Sequence, residues 1–357
     1  MPNFFLHELQ FIKPAGTSRG VLQTKPSWIY RLPLADGQFA HTEFPVIPGL
    51  SPEYESHLQY EQELIRFLHT IEPYLAIWPT INFLQDHDYL AFIEQWRAYP
   101  SFIFGLEILL LSIQQNGSKF LFDTDFTRGK ADIPINGLVW MGSLADMRSQ
   151  AEQKIAAGFQ TVKLKIGALD WQQEWMLLNE LRQSASAAEL TIRVDANGAF
   201  TAQNVTQRLA QLAQLDVHSI EQPISPRQYP LMAELCANSP IAIALDEELI
   251  GVELTAQKIT LLETIRPQFL ILKPSLHGGF SGVREWISLA EERNIGWWLT
   301  SALESSIGLS AIVQFGSCYA LQLPQGFGTG GLYTNNFPSQ LSIQNGRISW
   351  LNDSHKG

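Results

Sequence analysis

The chain has 357 residues, which is long enough for a barrel domain plus a smaller domain. Its residues are 45% hydrophobic and 17% charged, so the chain can bury a large core and is not expected to be disordered. The formal net charge of −11 and the lack of any basic run disfavour nucleic acid as a partner, since binding to phosphates requires a basic surface.

The N-terminal part of the chain predicts an α+β domain that ends near residues 126–133. Its strand candidates read as a meander and are Phe4–Ile12, Gly20–Leu32 and Phe39–Phe44. Its helix candidates are Tyr54–Leu68 and Ser101–Gln114. Mixed short strands and helices of this kind do not continue into the rest of the chain.

Targeting signals and cysteines give little indication of function. Residues 1–13 contain no basic segment followed by an apolar core, so no signal peptide is predicted and we expect a cytoplasmic protein. The most apolar stretch, Phe102–Ile113, contains Glu107 and is too short for a membrane span, so no membrane insertion is expected. Cys236 and Cys318 lack the spacing of a zinc site and are interpreted as two buried small residues.

From about Ile135 onwards, short β-type runs alternate with amphipathic helical runs. The strand candidates are Asn136–Trp140, Thr161–Ile166, Leu190–Val194, Ser219–Gln222, Ile241–Leu245, Phe269–Leu272 and Gly296–Thr300. The helix candidates are Ser143–Ala157, Trp171–Ser184, Ala202–Leu215, Leu231–Cys236, Leu254–Ile265, Gly282–Arg293 and Leu309–Ala320. Repeated alternation of this kind predicts an α/β fold with a parallel sheet that closes into a barrel.

Charged residues occupy the carboxyl ends of five successive predicted strands. They are Lys165, Asp195, Glu221, Asp246 and Lys273, at intervals of 30, 26, 25 and 27 residues. Each interval is one βα unit, so the five side chains are expected on one rim of the barrel, where barrel enzymes place their catalytic groups. A salt bridge at the rim would explain any one of the acids, but not the whole ordered set.

The adjacent carboxylates of Asp195, Glu221 and Asp246 predict a site for a cation. Packed together, they would repel one another and resist ionisation unless a cation neutralised them. Oxygen ligands, with positions left over for water or substrate, suit Mg²⁺ better than Zn²⁺. We therefore predict a magnesium site, at which Mn²⁺ could act as a substitute.

Lys163 and Lys165 are separated by one residue of a predicted strand, so both side chains point to the same side, here into the barrel. Two neighbouring ammonium groups lower each other's pKa, and a nearby Mg²⁺ does the same. The pair therefore predicts that one of the two lysines acts as a neutral base. The alternative is a pair of strand lysines that face solvent between helices.

These motifs resemble the muconate-lactonizing branch of the enolase superfamily, and within it the o-succinylbenzoate synthase family. The resemblance covers almost the whole chain and includes the segments 14–20, 193–198, 273–276 and 300–308. It implies a modified TIM barrel, (β/α)7β, with an N-terminal α+β capping domain. The implied divisions are 1–128 for the cap, with a specificity loop at about 15–25, 129–325 for the barrel, and 326–357 for a segment that closes the barrel and packs back on the cap.

The resemblance also implies a reaction, the Mg²⁺-dependent syn-dehydration of 2-succinyl-6-hydroxy-2,4-cyclohexadiene-1-carboxylate to o-succinylbenzoate in menaquinone biosynthesis. Lys165 would make both proton transfers, Lys273 would stabilise the electron-rich intermediate from the other face of the ring, and Lys163 would orient Lys165. The metal would be held by Asp195, Glu221 and Asp246. The residues implied to bind the small carboxylate substrate are Arg19, Asn197, Ser301, Gly328 and Thr329, and Lys25 is an alternative to Arg19 for the succinyl carboxylate.

Two other functions are compatible with the same residues. N-acylamino-acid racemases and dipeptide epimerases of this branch would use the same lysine pair. A non-catalytic barrel that serves as a binding scaffold would belong to a different class, but it would have no need of the lysines and the three acids together.

Weaker signals are interpreted as structural or are left open. The glycines of the segment 326–331 match the spacing of a dinucleotide-binding fingerprint, but they follow seven βα units and are interpreted as a loop that closes the barrel rim. Ser305 is either a substrate contact or a helix cap. Glu304 either reaches the rim or belongs to a structural salt bridge, and His277 is more plausible as a structural residue than as a site residue.

Overall fold

The computed structural model describes residues 4–17 and 20–351, and it begins with a three-stranded antiparallel sheet. The strands pair in chain order, as predicted, and are β1 (Phe4–Thr17), β2 (Gly20–Pro33) and β3 (Phe39–Pro45). Trp28 on β2 lies opposite Phe44 on β3, and both side chains are fully buried. Aromatic pairs across neighbouring strands of this kind stabilise the buried face of a sheet.

The segment predicted as a specificity loop, about 15–25, is not a loop in the described residues. Ala15 pairs with Leu22, so β1 and β2 continue as one long hairpin beyond a register shift in β1. The proline and glycine in this stretch favour a loop in the sequence, but the pairing of the strands resumes after the irregularity. Gly16 forms a bridge with Met141, which places the hairpin against the loop after the first barrel strand.

The cap also contains α-helices that follow its sheet in the chain. They are α1 (His57–Ile71), α2 (His87–Glu94), which the sequence analysis did not predict, and α3 (Pro100–Gln114). Every residue of α3 from Pro100 to Ser112 is buried, because the helix lies between β3 and the barrel. Gly105 permits this close approach, since a Cβ at this position would lie 2.3 Å from the ring of Phe44.

The barrel follows the predicted alternation. Its parallel strands, in spatial order, are β5 (Gly137–Val139), β6 (Thr161–Lys165), β7 (Thr191–Asp195), β8 (Ser219–Glu221), β9 (Ala242–Leu245), β10 (Phe269–Leu272) and β11 (Gly296–Leu299). The helices between and after them are α4 (Leu144–Ala156), α5 (Trp171–Ser184), α6 (Val205–Ala213), α7 (Tyr229–Asn238), α8 (Thr255–Ile265), α9 (Gly279–Glu291) and α10 (Ser306–Gly316). The predicted elements are all present, with their ends shifted by a few residues.

Residues 325 and 326 close the barrel. Gln325 forms a parallel bridge with Ile135, ahead of β5, and Gly326 forms one with Thr300, just after β11. A side chain would not fit at position 326, because a Cβ there would lie 2.2 Å from Oγ1 of Thr300. The fold is therefore the predicted (β/α)7β barrel with an N-terminal α+β capping domain.

Beyond this closure the chain returns to the cap and then to the start of the barrel. The backbone N–H of Ile12 donates to the carbonyl of Leu332, and that of Thr334 donates to the carbonyl of Gln10, both at 2.9 Å. A second small antiparallel sheet, which the sequence analysis did not predict, consists of β4 (Ile133–Pro134), β12 (Leu341–Gln344) and β13 (Arg347–Trp350).

Two further expectations concern membranes and cysteines. Over residues 4–17 and 20–351, no helix is both long enough and apolar enough to cross a membrane. Cys236 is buried, as predicted, but the prediction is wrong for Cys318, which is exposed. The reason is that α10 ends at Gly316, before the predicted Ala320, so Cys318 follows the helix instead of lying on its buried face.

Candidate active site

A pocket of about 140 Å³ lies where the barrel strands end and the cap covers them. With the exception of Lys25, it is lined by every predicted site residue that the structure describes: Lys163, Lys165, Asp195, Asn197, Glu221, Asp246, Lys273, Ser301, Gly328 and Thr329. Arg19, the remaining predicted contact, lies outside the described residues. A larger cavity of about 390 Å³ between the cap and the barrel helices contains none of these residues.

Strand register sets the acidic side chains next to one another. Lys165 at the end of β6 pairs with Asp195 at the end of β7, which in turn pairs with Glu221 at the end of β8. Asp246 directly follows β9, the next strand of the sheet. The three acids are buried, with exposed fractions of 1% for Asp195, 3% for Glu221 and 1% for Asp246.

Ammonium groups lie between these acids. Nζ of Lys163 is 2.6 Å from Oε2 of Glu221 and 3.1 Å from Oδ2 of Asp195. Nζ of Lys273 is 2.6 Å from Oδ1 of Asp246. In the part of the chain that the structure describes, no three acidic, histidine or cysteine side chains are grouped as a metal site. The acids instead contact the ammonium groups of Lys163, Lys165 and Lys273.

The acids nevertheless suit a divalent cation by their chemistry. All the donors are carboxylate oxygens on neighbouring strands, which is the kind of ligand that Mg²⁺ prefers. Oε1 of Glu221 is buried and has no hydrogen-bond partner. A buried carboxylate oxygen without a partner is costly, and a cation would remove that cost. Asp195, Glu221 and Asp246 therefore remain the residues that we propose as ligands.

The contacts between lysines and acids determine the pKa values of the lysines. Burial opposes the charged form of Lys163, but Asp195 and Glu221 outweigh it and hold the pKa of Lys163 above its usual value. Burial likewise opposes the charged form of Lys273, and Asp246 outweighs it, so the pKa of Lys273 is raised. The prediction that the paired lysines have lowered pKa values is therefore wrong for Lys163, because the charges nearest to it are negative.

The acids differ among themselves in the direction of their pKa shifts. Burial raises the pKa of Glu221 well above its usual value, and the neighbouring charge of Asp195 raises it further. Burial also opposes the ionisation of Asp195, but Lys163 and Lys165 overcome this and hold its pKa below the usual value. A divalent cation would favour the ionised form of every acid in the group.

Lys165 and Lys273 lie on opposite sides of the pocket, because β6 and β10 are four positions apart in a barrel of eight positions. Nζ of Lys165 is 2.7 Å from Oδ1 of Asn197 and 3.1 Å from Oδ2 of Asp195. It also lies 5.9 Å from the centre of the Trp140 ring. The Lys165 side chain is 12% exposed, so it has little contact with bulk solvent.

Ser301 and Thr329 lie in a hydrogen-bonded group at the edge of the pocket. The Ser301 hydroxyl donates to Oε2 of Glu304 at 2.7 Å and accepts from the Thr329 hydroxyl at 2.8 Å. Glu304 is fully buried and also accepts from the hydroxyl of Ser275 at 2.5 Å. Glu304 does not line the pocket, and its described partners are hydroxyl and backbone N–H groups, so its role is structural but the predicted salt bridge is not what holds it.

Lys25, the predicted alternative to Arg19, does not line the pocket. It is fully buried, and its Nζ lies 3.1 Å from the Ser27 hydroxyl and 3.8 Å from Oε1 of Glu43. Glu43 also accepts hydrogen bonds from the backbone N–H groups of Ser305 and Gly308, both at 2.9 Å. Lys25 thus belongs to a polar contact between the cap and the start of α10.

The remaining weaker candidates have structural roles. Ser305 is the N-cap of α10, and its hydroxyl accepts from the N–H of Ile307 at 3.1 Å, which agrees with the capping interpretation. Nδ1 of His277 accepts from the backbone N–H of Lys273 at 3.0 Å. Burial lowers the pKa of His277 to about 3, so the ring is neutral and supports the loop that carries Lys273.

Several pocket residues were missed by sequence reasoning. Oε1 of Glu247 accepts from Nδ2 of Asn197 at 3.0 Å, and Asn136 and Trp140 line the pocket beside β5. The cap contributes the apolar side chains of Leu22, Ile47, Pro48 and Leu50. The acid directly after Asp246 was a signal for Glu247, whereas nothing in the sequence separates the apolar pocket residues from those of the core.

The fold and the pocket together define a class of protein. It is a capped (β/α) barrel enzyme in which two lysines on opposite sides of the barrel face a row of acids at the strand ends.

The family model described as "Enolase C-terminal domain-like" matches residues 146–353, and the chain belongs to this family. It is 48% identical over 356 residues to the o-succinylbenzoate synthase of Desulfotalea psychrophila, covering 96% of each chain. The crystal structure of MenC from Desulfotalea psychrophila LSv54 is similar with a TM-score of 0.84 and 42% identity, covering 97% of this chain and 98% of that one. The N-succinylamino acid racemase of Thermus thermophilus is 31% identical over 166 residues, 46% of this chain and 42% of the racemase.

Proposed function

We propose that this protein converts 2-succinyl-6-hydroxy-2,4-cyclohexadiene-1-carboxylate into o-succinylbenzoate by syn elimination of water, the carbon–oxygen lyase step of menaquinone biosynthesis. The observation that carries the proposal is the position of Lys165 and Lys273 on opposite sides of three buried acids in one pocket. Similarity to an o-succinylbenzoate synthase over nearly the full length of both chains favours this member of the family. We also propose a cytoplasmic location, as the sequence predicts.

Lys165 makes both proton transfers in this proposal. As a neutral amine it removes the proton on the carbon that bears the carboxylate. The electron pair of that C–H bond forms a ring double bond, the neighbouring C–O bond breaks, and the ammonium of Lys165 returns the proton to the hydroxyl, which leaves as water. One acid–base residue suffices because the proton and the hydroxyl leave from the same face, and the product ring is aromatic.

Lys273 and Lys163 assist without transferring a proton. Lys273 presents a cation to the opposite face of the ring, and the effect of Asp246 on its pKa supports a charged form. Lys163 orients Lys165, because the Nζ atoms of both lysines lie 3.1 Å from the same oxygen, Oδ2 of Asp195. Moving either ammonium group would therefore disturb the other.

Asp195, Glu221 and Asp246 hold Mg²⁺ in this proposal, and Mn²⁺ could take its place. Enzymes of this superfamily use a divalent cation, typically Mg²⁺. When bound, the cation supplies Lewis-acid stabilisation of the negative charge that develops on the substrate carboxylate. The protein contributes a buried, oxygen-only site on three adjacent strands.

In this proposal, polar residues from the barrel and from the C-terminal segment, together with apolar residues from the cap, hold the substrate. We propose Asn197, Ser301, Gly328 and Thr329 as contacts, since all four line the pocket, and we propose Arg19, which lies outside the described residues, as a further contact. The apolar residues that the cap contributes would pack against the ring and the succinyl chain; they are Leu22, Ile47, Pro48 and Leu50.

An ultraviolet assay for o-succinylbenzoate formation tests the proposal directly. The parent protein with Mg²⁺ should form the product, and Lys165→Ala, prepared in the same way, should form none above background and so control for contaminating enzyme. A parent protein that binds Mg²⁺ but forms no product would rule out the proposed reaction.

Racemisation of N-acylamino acids is a second candidate, favoured by one observation. A racemase needs a proton acceptor on one face of its substrate and a donor on the other, and Lys165 and Lys273 lie on opposite sides of the pocket. The same preparation should therefore be assayed for racemisation of N-succinylamino acids. Racemisation without dehydration would favour the second candidate, and dehydration at a much higher kcat/KM would favour the first.

A further inference from the structure

We infer that Glu247 is a positioning residue for proton transfer: it fixes the amide of Asn197 so that the lone pair of the Lys165 amine faces the pocket. The inference deepens the proposed function and rests on Lys165 being the base. It concerns a chain of three side chains in which Lys165 donates to Asn197 and Asn197 donates to Glu247.

The carboxylate of Glu247 determines which way the Asn197 amide points. Oε1 of Glu247 lies 3.0 Å from Nδ2 of Asn197, and a carboxylate can only accept hydrogen bonds. The NH₂ group of Asn197 must therefore face Glu247. The carbonyl oxygen then faces Lys165, whose Nζ lies 2.7 Å away. With the amide reversed, two donors would face each other at Lys165 and two acceptors at Glu247.

The backbone at the end of β7 holds Asn197 in place for this contact. Asn197 has a φ of +43°, in the left-handed region that asparagine tolerates better than most residues. Its N–H donates to Oδ1 of Asp195 at 3.0 Å, and the N–H of the next residue, Gly198, donates to the carbonyl of Gln222 at 2.7 Å. The side chain therefore starts from a fixed turn, and only the orientation of its amide remains to be set.

The hydrogen bonds of Lys165 determine where the lone pair of its amine points. A neutral amine has two N–H bonds and one lone pair. Two acceptors lie within hydrogen-bond distance of Nζ, Oδ1 of Asn197 at 2.7 Å and Oδ2 of Asp195 at 3.1 Å. When both N–H bonds are directed at these acceptors, the lone pair is left for the α-proton of the substrate. After the transfer, the new N–H bond occupies that direction and can protonate the departing hydroxyl.

Glu247 acts through Asn197 in this account, and its place in the fold fits that role. It follows Asp246 after β9, whereas Asn197 follows β7, so the contact spans two strand positions across the rim. Glu247 is 6% exposed, and its charge also contributes to the environment of Lys273. The test must therefore separate an effect through Asn197 from effects through Lys273 or through the metal.

The test uses Glu247→Gln, Asn197→Ala and the double variant, each loaded with Mg²⁺ and assayed for dehydration. A glutamine presents both a donor and an acceptor, so it no longer selects one amide orientation. We expect kcat to fall by about 10- to 100-fold in each single variant, as for other misplacements of a reacting group. The Mg²⁺ dissociation constant from calorimetry should stay within about twofold in every variant, and KM should stay within about twofold in Glu247→Gln, which leaves the Asn197 side chain in place. The kcat of the double variant should be no lower than that of the slower single variant within the same factor.

Controls decide between this role and a general disturbance of the loop. Glu248→Gln makes the same chemical change in the next residue, which is buried and bonds to Gln222 and Arg227 outside the pocket. Gln222 also accepts from the backbone N–H of Asp246, so the Mg²⁺ affinity of this variant is measured too, and its kcat at saturating Mg²⁺ should match the parent. Glu247→Asp keeps an acceptor and should recover part of the lost kcat. The inference is overturned by additive losses in the double variant, by weaker Mg²⁺ binding that accounts for the loss, or by an equal loss in Glu248→Gln. A parent protein that forms no o-succinylbenzoate would instead refute the proposed function.

Discussion

Two buried lysines of this protein differ in the direction of their pKa shift according to the carboxylates near them. Lys163 contacts two acids, and its pKa is raised although burial opposes its charge. Lys25 is fully buried with its nearest acid, Glu43, 3.8 Å away; burial dominates there and lowers the pKa of Lys25, against the opposing effect of Glu43. At the residue scale, therefore, neither burial nor residue type alone identifies a base.

The first prediction separates the roles of Lys165 and Lys273. Arginine keeps the positive charge but does not deprotonate in a protein, so Lys165→Arg should lose dehydration by at least about 100-fold. Lys273→Arg should retain a measurable fraction of the parent kcat, because a cation on that face is all that the proposed mechanism requires. Initial rates of o-succinylbenzoate formation at saturating Mg²⁺ measure both effects.

Lys273→Ala completes this comparison and should be slower than Lys273→Arg, since it removes the charge. Circular dichroism and Mg²⁺ binding would verify that each variant is folded and loaded. Equal loss in Lys165→Arg and Lys273→Arg would contradict the one-base mechanism, and a Lys273→Ala variant at the parent rate would exclude any role for that charge.

The hairpin of β1 and β2 is the element of the cap that reaches the pocket. Leu22 on β2 lines the pocket, whereas its neighbour Val21 is 64% exposed. Because successive side chains of a strand point to opposite faces, Leu22 points towards the pocket and Val21 points away from it. The hairpin is tied to the barrel loop through the bridge between Gly16 and Met141.

The second prediction concerns this hairpin. Leu22→Ala should raise KM for the proposed substrate by roughly fivefold, because it removes apolar contact worth about 1 kcal/mol, and should change kcat little. Val21→Ala is the matched control and should leave both constants unchanged. Steady-state kinetics of the two variants test this directly, and an unchanged KM in Leu22→Ala would show that the hairpin does not contact the substrate.

Helices α3 and α9 meet across the border between cap and barrel through a buried acid. Glu107 on α3 accepts hydrogen bonds from the backbone N–H and the hydroxyl of Ser281 at 3.1 and 2.5 Å, and from the N–H of Phe280, all in the first turn of α9. Burial raises the pKa of Glu107 to about 7, although these hydrogen bonds oppose the shift. The contact between the two helices should therefore depend on pH.

The third prediction follows from the direction of that shift. From the unfolded pKa of about 4.5 up to about 7, the unfolded chain loses this proton before the folded protein does. The contribution of Glu107 to the free energy of unfolding is therefore greatest below pH 4.5 and falls by on the order of 3 kcal/mol as pH rises through this window. Glu107→Gln removes the titration, so its stability relative to the parent should increase between pH 5 and pH 7. Urea unfolding at both values measures this, and an unchanged difference would contradict it.

At the scale of the whole molecule, the pocket depends on three parts of the chain. The barrel supplies the lysines and the acids, the N-terminal hairpin supplies apolar cover, and the C-terminal segment supplies Gly328 and Thr329 after it has closed the barrel. A ligand bound in the pocket therefore contacts parts of the protein that are far apart in sequence, and binding should stabilise the whole fold.

The fourth prediction uses this linkage for the metal. Exhaustive chelation should abolish dehydration, and added Mg²⁺ should restore it. Mg²⁺ at about 100 times its dissociation constant should also stabilise the fold by about 2.7 kcal/mol and so raise the Tm. Asp246→Asn should weaken both effects. Activity that survives chelation, or a Tm that does not respond to Mg²⁺, would show that the three acids do not form a metal site.

The sequence by itself determined the barrel and its catalytic rim. Alternating β-type and helical runs predicted all seven strands from Gly137 to Leu299, because each amphipathic run can bury its apolar face only in this architecture. The interval of one βα unit between charged residues predicted that Lys165, Asp195, Glu221, Asp246 and Lys273 would meet, and the structure brings them into one pocket. Both predictions depend on the periodicity of apolar residues and on the spacing of charged residues, and both features can be observed in a single sequence.

Only the tertiary structure decided how these groups interact and what covers them. It showed that the residues around Ala15 are a strand rather than a loop, that Lys25 faces Glu43 rather than the pocket, and that Asn197 bridges Lys165 and Glu247. It also reversed the expected pKa shift of Lys163. These outcomes depend on distances between side chains from different strands and domains, and electrostatic and hydrogen-bond energies change over a few ångströms that spacing in the sequence does not specify.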